Sequence, residues 1–317
     1  MNVWQMLYPM WEDLGTEDDY PKKRPLLAHY TSISNVELIF KSREFWLSNP
    51  LVMNDTEELR WGLQHSLMGI EHHPSLRRLL GAETHERLLS LYRRAFDLFD
   101  GHHAFDTYVG SFSEHQEEDG DGLLSMWRGY GGNGSGAAIL LDTQALSPPE
   151  GMSPVILARV HYGRPEERIA WINGKLDQLC ALINGKVQDL ISGLDQVAGM
   201  LFNRFLLMSL FSKHHGFREE KEWRVVYSSY LDDESLLKQR LWYLVGPNGV
   251  QPKFRLPLAG LPEMGGEAKI DDLVSRVLLG PTSSSLMSMA AVRRMLTCLG
   301  QEGLADRVAA SEIPFRG

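Results

Sequence analysis

Short apolar runs bounded by turn residues recur along this chain, at 26–31, 44–48, 105–112, 136–141, 154–161, 222–229, 241–245, 253–256 and 273–279. Runs of that length, with β-branched and aromatic residues between Gly, Pro and Asn breaks, read as strands. Helical patterns stand before and between them. One apolar face runs through Leu59, Leu63 and Leu67, a second through Leu76, Leu80, Leu88, Leu91 and Leu98, and a long one from Ile169 through Leu176, Ile183, Leu190 and Val197 to Phe205. Ser34 with Glu37 three residues later reads as a helix start. Strands and helices in this irregular order predict an α+β fold on a mixed or antiparallel sheet, not a regular βαβ winding.

The domain organisation follows from the same pattern. Residues 1–25 read as an N-terminal extension ending in the charged, Pro-bounded linker Asp18–Pro25, and 26–317 as a single α+β domain with a helical insertion at about 166–215. The insertion carries no polar motif, so its charged residues, Lys175 and Lys186 among them, are expected on an exposed face. At 317 residues and 43% hydrophobic the chain has ample material for a core. A net charge of −9 argues against a surface that grips nucleic-acid phosphates throughout. Two cysteines, Cys180 and Cys298, make no disulfide framework and fit a reducing cytoplasm. Met1–Gly15 has no signal-peptide pattern, and no segment approaches the roughly 20 apolar residues of a membrane span. The expected location is cytoplasmic, away from membranes.

Polar motifs sit on or beside the strand runs. Glu220 and Glu222 lie two apart at the start of a strand, which puts both carboxylates on one face, where they repel unless a ligand or cation uses them. A carboxylate so placed can bind a ribose hydroxyl and stabilise an oxocarbenium-like transition state. The plainer alternative is a charge-rich strand end, Arg218 to Arg224, in which charges simply pair. His29-Tyr30-Thr31 offers a hydrogen-bonding ring and an aromatic face; a lone strand histidine is more commonly a core residue bonded to backbone. Ser111 and Ser113 flank Phe112, so both hydroxyls share a face opposite the Phe112 ring. Asn54-Asp55-Thr56-Glu57-Glu58 reads as an amide and carboxylate cluster or as an ordinary N-cap. Trp127 and Tyr130, ahead of the Gly-rich run 129–136, suggest an aromatic wall beside a mobile loop. That run matches G-x-G-x-x-G but leads into a strand, which excludes the dinucleotide-fold fingerprint. The histidine pairs lack metal-type partners, so no metal is expected.

Taken together, His29-Tyr30-Thr31, Phe45-Trp46-Leu47-Ser48, Asn54-Asp55-x-Glu57, Ser111-Phe112-Ser113, Trp127-x-x-Tyr130 and Glu220-x-Glu222-Trp223-Arg224 resemble a widespread bacterial family known as a domain of unknown function. That pattern is in turn similar to the ADP-ribosyltransferase superfamily. The resemblance implies an ADP-ribosyltransferase-like sheet with NAD as substrate. It implies that His29, with Tyr30, Thr31 and Asn54, binds NAD, that Ser111 and Ser113 scaffold the site near the nicotinamide, and that Trp127 and Tyr130 wall it. Glu222 becomes the catalytic glutamate and Glu220 the residue turned toward the acceptor. Phe112 departs from the Thr usual in that pattern, and the helical insertion is long.

The implied activity is cleavage of the nicotinamide–ribose bond with transfer of ADP-ribose to a protein or nucleic acid, as in toxins or phage-defence effectors held by a cognate antitoxin or immunity protein. The alternatives are an NAD glycohydrolase and a catalytically inert nucleotide-sensing or interaction module. The enzymatic readings require His29, Ser111, Ser113 and Glu222 to converge on one cleft.

Overall fold

The computed structural model describes residues 3–14, 16–52, 56–147, 153–232, 234–246, 249–264 and 268–315. From the N-terminus the elements run α1 (Val3–Leu7), β1 (Leu26–Thr31), α2 (Ile33–Ser42), β2 (Glu44–Ser48), α3 (Thr56–His72), α4 (Pro74–Leu80) and α5 (Ala82–Gly101). β3 (Thr107–His115), α6 (Leu124–Gly129), β4 (Ala137–Asp142), β5 (Val155–Arg159) and β6 (His161–Gly163) follow. Then come α7 (Pro165–Ile183), α8 (Val187–Ile191), α9 (Leu194–Leu210), β7 (Ser212–His214), β8 (Glu222–Ser228), β9 (Leu241–Gly246) and β10 (Gly249–Pro257). The chain ends with α10 (Ile270–Leu273), β11 (Val274–Leu279), α11 (Leu286–Cys298), α12 (Glu302–Ala305) and β12 (Val308–Ala310). The fold is α+β. Its chain divides into two compact units, each gathered from three segments: 1–19, 49–107 and 160–218 in the first, 20–48, 108–159 and 219–317 in the second.

The first unit is helical, apart from the short parallel pair β6–β7. The long helices α3, α5 and α9 pack on one another, and Tyr92 of α5 meets Phe202 of α9 edge-on at 5.7 Å. Gly62 lets α3 approach α9, because a Cβ there would lie 2.8 Å from the Ser209 Cβ. The helical period over 166–215 thus becomes α7, α8 and α9, and these share a core with α3 and α5. The N-terminal stretch is tied to this unit too. Asp13 takes ion pairs from Lys175 at 2.9 Å and Arg204 at 2.6 Å, and both cations also donate to the Met10 carbonyl. Lys175 is therefore 8% exposed, a buried clamp where the helical pattern predicts a surface lysine.

The second unit holds a sheet of ten strands among the described residues, ordered β12-β11-β4-β1-β3-β2-β10-β9, with β8 joined to β3 and β5 to β8. β11–β12 is parallel; β1–β3, β1–β4, β4–β11, β2–β10, β9–β10 and β5–β8 are antiparallel, so the sheet is mixed. Period two splits its side chains between two cores. Leu27, Phe112, Ile139, Leu141, Trp223, Tyr227 and Phe254 bury one face together with Val36 and Phe40 of α2 and Leu296 of α11. Ala28, Tyr30, Ala138, Leu140 and Leu278 bury the other against Met126 and Trp127 of α6. Helix α2 is capped by Ser32, whose hydroxyl accepts from the Asn35 N–H at 3.2 Å, and not by Ser34.

Candidate functional site

The strand registers settle which motif residues share a face. Ala28 pairs with Ser113 and Leu27 with Glu114 across β1–β3, while His29 pairs with Ile139 across β1–β4. His29 therefore points with Leu27 and Ile139 into the larger core. Ser111 and Ser113 point the other way from Phe112, to the side of Ala28 and Tyr30. On β8, Trp223 and Tyr227 belong to the larger core, so Glu222 and Arg224 take the serine side.

His29 consequently leaves the site. Its ring lies against Phe45 at 5.2 Å and Phe112 at 5.4 Å, and its Nδ1–H donates to the Ser111 carbonyl at 3.1 Å. Burial among these rings pulls its pKa below the usual histidine value, only partly offset by that carbonyl. The expected convergence of His29 with Ser111, Ser113 and Glu222 does not form, because one odd step along β1 puts the imidazole on the opposite face. Thr31 serves local structure, its hydroxyl accepting from the Asn35 side chain at 2.9 Å. Asn54 lies outside the described residues.

Three other motifs do meet. The Ser113 hydroxyl donates to the Glu220 carbonyl at 2.7 Å, and the Tyr130 hydroxyl donates to Glu220 Oε1 at 3.0 Å. The Glu114 N–H donates to the Lys221 carbonyl at 2.8 Å, which fastens the entry to β8 onto β3. Lys221 makes the turn with φ of 44°, a left-handed conformation unusual for a side chain this large. Tyr30 and Trp127 support the cluster from beneath. They cross edge-to-face at 4.8 Å; the Tyr30 hydroxyl accepts from the Leu123 N–H, and the Trp127 indole donates to the Asp121 carbonyl. Burial pushes the Tyr30 phenol up to about 12, so it stays protonated. These bonds fix α6, whose end presents Tyr130 to Glu220. Ser111 adds a buried hydroxyl oxygen that has no hydrogen-bond partner among the described residues.

The Gly-rich run expected as a mobile loop is held by several backbone hydrogen bonds. Gly131 N–H donates to the Met126 carbonyl, Gly136 N–H to Gly131, and Gly280 N–H to Gly136. A Cβ at Gly136 would fall 2.2 Å from the Thr31 carbonyl oxygen, so close approach to β1 requires glycine here.

Glu222 is the most consequential placement. Arg224 Nε donates to Glu222 Oε1 at 2.9 Å and Nη2 to Oε2 at 3.2 Å, with the two side chains 3% and 4% exposed. Arg224 thus neutralises the Glu222 carboxylate, while the Glu220 carboxylate accepts the Tyr130 hydroxyl. This is the plainer alternative for the Arg218–Arg224 run, in which charges pair, and Arg224 is the partner that the Glu-x-Glu reading leaves out. Period two within β8 carries the same face from 222 to 224, whereas Glu220 ends a turn ahead of the strand and the left-handed Lys221 breaks the alternation expected to set both glutamates on one face. Among the described residues no group of three or more His, Cys, Asp or Glu is arranged to hold a metal ion, and no helix is long and apolar enough to cross a membrane.

Residues 126–225 match a family model described as a protein of unknown function, DUF2971. That segment contains Trp127, Tyr130, Glu220, Glu222 and Arg224, and omits His29, Ser111 and Ser113. No curated protein and no solved structure matches the chain.

Proposed function

We propose that the Ser113–Tyr130–Glu220 face of the second unit is a nucleotide-recognition site that binds its ligand without cleaving it. The observation that carries this reading is the Glu222–Arg224 pair. A glutamate that stabilises a cationic sugar must offer its negative charge to the substrate. Glu222 spends both oxygens on a guanidinium in a nearly dry setting, and freeing it would strand a buried arginine. The outward groups suit recognition. The half-buried Glu220 carboxylate accepts hydroxyl protons such as those of a ribose, and the exposed Tyr130 hydroxyl stands beside it, while the buried Ser113 holds the Glu220 backbone in place.

A second reading, NAD cleavage by a transferase or hydrolase, is favoured by one specific observation: residues from the Ser-x-Ser, Trp-x-x-Tyr and Glu-x-Glu motifs meet through Glu220. Under it, Arg224 releases Glu222 when NAD binds, and a macromolecular acceptor and an immunity protein become relevant partners. Calorimetry with NAD and ADP-ribose, alongside chromatographic detection of nicotinamide, separates the two. The first reading expects binding with no nicotinamide released. Release that falls about 10²–10³-fold in Glu222→Gln would establish the second. Neither binding nor release would sink both.

A further inference from the structure

Strand β10 carries two cations whose placement no part of the site above uses. The β2–β10 register pairs Lys253 with Ser48 and Arg255 with Trp46, and β9–β10 pairs Lys253 with Trp242. Phe254 and Leu47, the intervening pair, belong to the larger core, so Ser48, Lys253, Arg255 and the two tryptophans share the other face. Lys253 is 8% exposed, and its Nζ donates to Ser48 Oγ at 2.7 Å. Arg255 lies with its guanidinium 4.5 Å from the centre of the Trp242 ring, and its buried Nε has no hydrogen-bond partner among the described residues.

The charge balance on this face is uneven. Its nearest carboxylate along β2 is Glu44, which accepts the Trp46 indole N–H at 3.0 Å. Among the described residues neither Lys253 nor Arg255 has an ion-pair partner. Two cations at period two on one strand face repel each other, and burying an unpaired ammonium costs free energy that a neutral hydroxyl repays poorly. Burial accordingly pulls the Lys253 pKa down with no opposing contribution. Because Lys253 donates to the serine oxygen, the Ser48 hydroxyl proton remains available to a further acceptor. Ser48 O–H, the remaining Lys253 N–H groups and Arg255 Nε–H then form a set made only of donors. Such a set rejects metal ions and suits an anion; a dianion balances both cations, where a carboxylate balances one.

We infer that the β2–β10 face binds a phosphate group through Ser48, Lys253 and Arg255, between walls formed by Trp46 and Trp242. The face meets solvent at Trp242, which is 45% exposed, and at the half-buried Ser48, Trp46 and Arg255, while Lys253 and the Arg255 Nε are themselves buried. This site does not depend on the nucleotide reading, although Ser48 pairs with Val109 of β3, after which Ser111 follows on the same face.

Calorimetric titration of the full chain with sodium pyrophosphate at constant ionic strength tests it. Binding is expected, weakened roughly 10- to 100-fold by Lys253→Met or Arg255→Gln and several-fold by Ser48→Ala. Near-UV circular dichroism checks that each variant keeps its packing. Lys253→Met should melt no lower than the parent without ligand, because it removes an unpaired buried charge. No binding of pyrophosphate, or the same affinity in folded Lys253→Met and Arg255→Gln, overturns the site. Titration with ADP-ribose identifies the source of the phosphate. Loss of ADP-ribose binding in Lys253→Met supports the site as the diphosphate end of a nucleotide. Pyrophosphate binding without ADP-ribose binding supports the site and removes the nucleotide reading. ADP-ribose binding indifferent to Lys253, with no pyrophosphate binding, overturns the site and leaves the nucleotide reading standing.

Discussion

His29 holds its Nδ1 proton against the Ser111 carbonyl from between two phenylalanine rings, so a second proton on that imidazole has to be buried with its charge. Its folded pKa lies below the unfolded value of 6.5, and the unfolded chain takes the proton first. Stability from this residue is therefore complete above about pH 6.5 and is lost as pH falls below it toward the folded pKa. His115, lowered chiefly by burial and opposed by the Asp119 carbonyl, adds in the same direction. Urea midpoints measured from about pH 7.5 to 5.5, before most carboxylates titrate, should fall with acid. They should fall less steeply in His29→Gln, which keeps an N–H donor and does not titrate. Parallel curves would remove His29 from the account. At this scale the strand alternation was legible: Phe112 inward with Ser111 and Ser113 opposite follows from period two alone. What was not legible is which face of a neighbouring strand lines up with it. His29 and Ser113 look like parts of one site in a linear reading, and only the pairing of Ala28 with Ser113 separates them.

Gly62 and Ser209 show how elements of the helical unit are held at close range. A Cβ at Gly62 would stand 2.2 Å from the Ser209 Oγ, 2.8 Å from its Cβ and 3.2 Å from its Cα. The hydroxyl, which donates to the Phe205 carbonyl at 2.8 Å, can rotate; the backbone of α9 cannot. Gly62→Ala gains about 0.5–1 kcal/mol of helix propensity but loses roughly 1–3 kcal/mol to overpacking as α3 and α9 separate. We expect net destabilisation by urea denaturation. Gly199→Ala, on α9 and facing open space, should stabilise by about 0.5–1 kcal/mol. A Gly62→Ala protein as stable as Gly199→Ala would mean the contact yields freely. Helices α3, α5, α7 and α9 were visible as periodic apolar stripes, because periodicity is a local property. The burial of Lys175 was not, because its partners Met10 and Asp13 lie far away along the chain and only docking of the N-terminal stretch creates them.

For the molecule as a whole, each unit draws its core from segments separated by material of the other, and this bears on what the family-matched stretch 126–225 is. Within the second unit, β4 is bonded on its two sides by β1 and β11, both outside that stretch. β8 keeps β5 but loses β3. Within the first unit, α9 loses both α3 and α5, leaving Leu201, Phe202 and Phe205 without the surfaces that bury them. Exposing several such side chains costs about 1.5–3 kcal/mol each, against a total stability on the order of 5–15 kcal/mol. The single-domain pattern with one insertion was the natural linear reading, since composition and periodicity carry no information about which distant segments share a core. The same cores predict that residues 126–225 expressed alone do not form a folded domain. Their urea titration followed by circular dichroism should show a shallow, non-cooperative loss of signal, while the full chain unfolds in sigmoidal transitions. A steep, reversible transition from the isolated stretch would show that it carries a core of its own, and the Ser113-dependent face argued above would then have to be rebuilt without β3.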